Sequence, residues 1–131
     1  MYTFALHKVN EIEGKLSFYK LIVDGTCDFD TFCKQCKQDG NLASELRTIQ
    51  SRMQQLADLK TMPVEKHRDI TPKNESVKEY EIKTKHLRVY MFHEKETGRV
   101  IVLGGKKGTQ ESDIKRFRNI KKAYFNKGGN L

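Results

Sequence analysis

The chain has 131 residues, 37% of them hydrophobic and 32% charged, with a formal net charge of +8 and a pI of about 9.4. That length fits one domain, residues 1–131, and no apolar run approaches the roughly 18 residues that span a bilayer. A basic balance of this size favours a polyanionic partner, nucleic acid above all, and six of the eight net positive charges fall within residues 104–131. Residues 1–7 carry no basic leader followed by a greasy stretch, so a cytoplasmic protein with no membrane partner is expected.

In chain order, residues 2–9 and 15–23 read as two extended segments, with Tyr2, Phe4 and Leu6, then Leu16, Phe18, Lys20 and Ile22, at period two. Asp24-Gly25 closes the second. A helix capped by Asp28 or Asp30 then runs to about residue 38, its apolar face being Phe29, Phe32, Cys33 and Cys36. Gly40 reads as its stop and Asn41 as the next cap. The following helix, about 42–60, has the clearest pattern: Leu42, Leu46, Ile49, Met53 and Leu56 recur at steps of four and three. Two helices joined this closely are expected to form an antiparallel hairpin.

Residues 63–78 contain Pro63 and Pro72, are polar, and read as loop. Three strands follow, at 79–84, 87–94 and 99–104. The continuous apolar run Val100-Ile101-Val102-Leu103 suits a central strand covered on both faces. Thr109 is placed to cap a last helix of about 110–125, with Ile114, Phe117, Ile120 and Tyr124 on one side and Lys115, Arg116, Arg118 and Lys122 on the rest. The expected fold class is α+β: an antiparallel twisted sheet with an N-terminal helical hairpin and a C-terminal helix.

Chemistry-bearing motifs are few. Cys33 and Cys36 have the CxxC spacing but no second pair and no nearby histidine, so core packing is expected and no metal or other cofactor. The stretch Gly104-Gly105-Lys106-Lys107-Gly108 lacks the spacing of a nucleotide-binding phosphate loop. It reads instead as a turn whose glycines let basic side chains approach a polyanion. In His86-Leu87-Arg88-Val89-Tyr90-Met91-Phe92, alternation groups His86, Arg88, Tyr90 and Phe92 on one face, and a tight turn at 84–85 adds Lys83. Cations that neutralise phosphates beside rings that stack on bases suit RNA. A solvated outer face is the plain alternative.

The ordered set Tyr80-Glu81-Ile82-Lys83, Leu87 to Phe92, and Val100-Ile101-Val102-Leu103-Gly104-Gly105-Lys106-Lys107-Gly108-Thr109-Gln110 resembles the RelE/ParE superfamily of toxins, in its HigB-like, phage-derived branch. The resemblance covers about residues 77–125. It implies a RelE-like fold and a toxin of a type II toxin-antitoxin system. Such a toxin is a metal-independent endoribonuclease that cleaves mRNA on the ribosome and is held by a cognate antitoxin, a small helix-turn-helix protein. It further implies Arg88 as the clamp on the scissile phosphate, Lys106 and Lys107 as charge stabilisers, and Lys83 and Lys85 as RNA contacts. His86 is suited to acid or base work because imidazole titrates near neutrality. Tyr90, Lys115 and Arg118 complete the expected RNA-binding set. One departure stands out: residues 109–113 hold no tyrosine where the RelE branch often has one. Two other functions remain open on the residues alone. One is a non-catalytic nucleic-acid-binding or regulatory module; the other is a ParE-like toxin that inhibits gyrase.

Overall fold

The structure is a computed structural model and describes residues 2–129. Six strands and three helices follow one another as β1 (Phe4–Lys8), β2 (Phe18–Val23), α1 (Asp28–Lys37), α2 (Gly40–Ala57), β3 (His67–Asp69), β4 (Glu79–Lys83), β5 (Leu87–Glu94), β6 (Gly98–Lys106) and α3 (Gln110–Tyr124). A single 3-10 turn, Lys107–Thr109, leads into α3.

All six strands form one sheet in the order β1-β2-β6-β5-β4-β3. Every neighbouring pair is antiparallel except β2 and β6, which run parallel with Phe18 opposite Arg99 and Lys20 opposite Ile101. The sheet is therefore mixed rather than antiparallel throughout. The helical hairpin explains this. α1 and α2 cross one face and return, so the chain re-enters the sheet at β3 on the far edge and turns back through β4, which runs in the same direction as β2. The β4-β5-β6 meander then brings β6 back beside β2.

Helix boundaries follow local chemistry. Asp24 and Gly25 both have positive φ, as a tight turn closed between Val23 and Thr26 requires. Cys27, not an aspartate, holds the N-cap position of α1. Asp28 and Asp30 fall in its first turn, where the helix dipole favours them. Only Gln38 and Asp39 separate α1 from α2. Asp39, rather than Asn41, caps α2, its side chain accepting from the Asn41 amide at 3.0 Å, and Gly40 begins that helix instead of ending α1.

Both faces of the sheet are covered. Phe18, Ile82, Leu87, Val89, Met91 and Ile101 pack under α1 and α2, against residues that include Phe32, Leu46, Ile49 and Met53. Leu21, Tyr90, Phe92, Val100, Val102 and Leu103 pack under α3, against Phe117, Ile120 and Tyr124. A bulge opposite Tyr90 and Met91 passes over Val102, which turns Val102 and Leu103 to the same side. The apolar run of β6 is thus spent on both layers.

β3 lies within the stretch expected to be loop. It has three residues and no alternation to read, and pairing supplies what local pattern lacks: His67 sits opposite Ile82 and its ring stacks on Tyr80 at 5.2 Å. The β5-β6 turn depends on Gly98, whose φ is +129° and whose missing Cβ would lie 2.4 Å from the Ser17 carbonyl oxygen. Gly98→Ala is expected to cost about 1–3 kcal/mol in urea unfolding. Gly40→Ala, with nothing within 4 Å, is expected to be neutral or slightly stabilising. Equal stability of the two variants would refute this account of the turn.

Candidate functional site

The β4-β5 turn and the end of β6 meet at one end of the sheet. Thr84, Lys85 and His86 form the turn, closed by the Thr84 amide on the Leu87 carbonyl at 3.0 Å. Leu87 pairs with Lys106, and the Lys107 amide donates to the His86 carbonyl at 2.8 Å. Backbone pairing alone therefore holds His86 beside Lys106 and Lys107, all three exposed.

Glu45 reaches this turn from α2. One carboxylate oxygen accepts from the Thr84 hydroxyl and from the His86 amide, the latter at 2.8 Å. The other meets His86 Nδ1 at 2.5 Å. Burial pushes the Glu45 carboxyl up. The hydrogen bonds from Thr84 and His86 outweigh that and hold it down at about 2, so it is an anion at neutral pH. An anion at Nδ1 fixes the proton there and leaves Nε2 as the free nitrogen of the neutral ring. The His86 side chain is 55% exposed, so the ring stands at the surface. Glu45 escaped the sequence reading, although a signal was present. It stands three residues after Leu42 and four before Ile49, on the border of the apolar stripe, where an acid is costly unless something partners it.

The other expected site residues divide sharply. Arg88 is buried, 5% exposed. Its Nη1 donates to the Thr84 and Leu87 carbonyls at 2.6 and 2.8 Å, and its Nε lies 3.7 Å from the fully buried Glu81 carboxylate. It braces the turn from beneath and is not available as a phosphate clamp. Tyr90 has no exposure and stacks on Phe117 at 5.9 Å. The expected RNA face is the face that α3 covers, so Tyr90 and Phe92 are core. Arg118 is committed to Glu79 at 2.9 Å and to the Ile70 carbonyl at 2.8 Å. Lys121, at the far end of α3, is likewise buried on Glu79 at 2.8 Å. Lys85 is exposed at the turn and Lys115 on α3, while Lys83 is half-buried with its carbonyl accepting from Arg52.

Cys33 and Cys36 pack within the α1-α2 core, and burial pushes the Cys33 thiol up to about 12. Among the described residues, no group of three or more His, Cys, Asp or Glu is arranged to hold a metal ion, and no helix is long and apolar enough to cross a membrane.

Lys106 also borders a cleft of about 440 Å³ between α1, the start of α2, the end of β6 and the start of α3. The chain matches no protein-family model, no curated protein and no solved structure.

Proposed function

We propose that the chain is an endoribonuclease of the RelE/HigB toxin type, cutting mRNA on the ribosome without a metal and restrained by an antitoxin. The observation that carries this reading is the Glu45-His86 pair beside Lys106 and Lys107. The helical hairpin, the three-strand meander and the terminal helix support it as well. His86 Nε2 takes the proton of the ribose 2′-hydroxyl as that oxygen attacks the adjacent phosphorus. Glu45 stabilises the imidazolium that forms, as the buried carboxylate does in a catalytic triad. Lys106 and Lys107 offset the charge gathering on the phosphorane oxygens. The bond from phosphorus to the 5′-oxygen then breaks, and a lysine ammonium or water gives that oxygen a proton. The products are a 2′,3′-cyclic phosphate and a 5′-hydroxyl.

Expression of the chain alone is expected to arrest growth and translation, with new RNA 5′ ends mapping inside coding sequence. A single 2′-deoxy nucleotide at the cut site is expected to abolish cleavage there, because it removes the nucleophile. Normal growth at confirmed soluble expression, or equal cleavage of the 2′-deoxy substrate, would sink this reading. Arrest of DNA replication with intact mRNA would favour gyrase inhibition instead.

A further inference from the structure

We propose that the cleft beside Lys106 is a nucleobase subsite that accepts a base carrying an amino group and rejects uracil, an inference that rests on the ribonuclease reading. The floor is apolar: Phe32 and Cys36 from α1 and Leu42 from α2. Beside this floor the cleft is lined by the bare backbone of Gly104 and Gly105, on which Phe32 and Asp113 pack directly. Side chains at those two positions would meet the Phe32 ring at 2.5 Å and a carboxylate oxygen of Asp113 at 2.0 Å. Both neighbours are therefore drawn tight against the strand. The volume, about 440 Å³, lies in the range of small-molecule sites.

Two carboxylates stand at the rim, Asp39 and Asp113. Each is held in place through one oxygen. Asp39 accepts from the Asn41 amide at 3.0 Å, and Asp113 accepts from the Thr109 hydroxyl at 2.7 Å. The second oxygen of each has no hydrogen-bond partner among the described residues, and both residues line the cleft. In a chain of net charge +8, carboxylates next to a phosphate-binding lysine oppose the polyanion unless they meet hydrogen-bond donors. The Watson–Crick edges of guanine, cytosine and adenine carry such donors, and guanine offers two side by side. Uracil has no amino group and offers a single N3–H flanked by two carbonyl oxygens, which a carboxylate repels. Lys106 ties the subsite to the chemistry. It borders the cleft and pairs with Leu87, next to His86, so a nucleotide whose phosphate rests on Lys106 brings its base within reach of the slot.

The test is equilibrium binding of the four 5′-ribonucleoside monophosphates to the full chain, followed by NMR shifts of residues around the cleft. GMP is expected to bind roughly tenfold more tightly than UMP, as one well-placed pair of hydrogen bonds would give. Asp39→Asn and Asp113→Asn together should erase most of that preference. Asparagine keeps both structural hydrogen bonds, since it caps a helix as well as aspartate does, and a thermal melt checks that each variant is folded. Equal affinities, no binding of any of the four, or a preference unchanged in the double variant would overturn the subsite. The nuclease reading is judged separately, by cleavage: a chain that prefers GMP but cuts no RNA keeps the subsite and loses the nuclease.

Discussion

Arg88→Ala is expected to destabilise the fold by about 3–5 kcal/mol, not to silence an otherwise intact protein. Arg88 is 5% exposed and Glu81 is not exposed at all. Removing the guanidinium strips the near neutraliser from a buried carboxylate, takes the Arg88 donor from the Thr84 carbonyl and leaves the Leu87 carbonyl with the Thr84 amide alone. Arg68, at 3.5 Å and 44% exposed, and Gln110, at 3.2 Å, are the remaining partners of Glu81, both on its other oxygen. A domain is commonly stable by only about 5–15 kcal/mol, so a loss of this size takes much of the margin. Pairing Arg88→Met with Glu81→Gln is expected to recover most of it, because the charge that made the single change costly is gone. Urea unfolding of the parent and the two variants measures the comparison. If Arg88→Ala unfolded within 1 kcal/mol of the parent and yet cut no RNA, the arginine would regain a direct role in the chemistry.

How far the sequence could be read shows in the same residues. Alternation along β5 correctly groups Arg88, Tyr90 and Phe92 on one face. What alternation does not contain is which layer covers that face. The missing information lay in α3: Phe117, Ile120 and Tyr124 need an apolar surface to pack on, and Tyr90 and Phe92 supply it. With those rings buried, parity buries Arg88 as well. α2 and the β4-β5-β6 meander were legible because their patterns are long and regular. The parallel pairing of β2 with β6 is non-local, and β3 is three residues held by a neighbour, so neither leaves a local trace. The lysines beside His86 were legible as a cluster after β6. The meeting of His86 with Glu45 was not, since it joins α2 to a turn 41 residues later.

His86→Ala is expected to lower the rate of RNA cleavage by about 10²–10⁴ with little change in stability. The side chain is 55% exposed and gives up one surface contact, so the fold loses little while the reaction loses its base. The fall should appear in kcat with KM nearly constant, since an exposed imidazole that moves a proton contributes more to the transition state than to binding. Glu45→Gln should give a smaller loss of the same kind. Glutamine still accepts from Thr84 and from the His86 amide, but carries no charge to set against the imidazolium. Lys107→Ala should differ in kind if it also holds the backbone, raising KM and reducing the salt slope of RNA binding by about 0.7, the share of one phosphate contact on a single strand. These three profiles separate a proton carrier, the group that positions it, and an electrostatic contact. Wild-type kcat in folded His86→Ala would place the chemistry away from this turn, and the proximity of Lys106 and Lys107 would then describe a binding surface only.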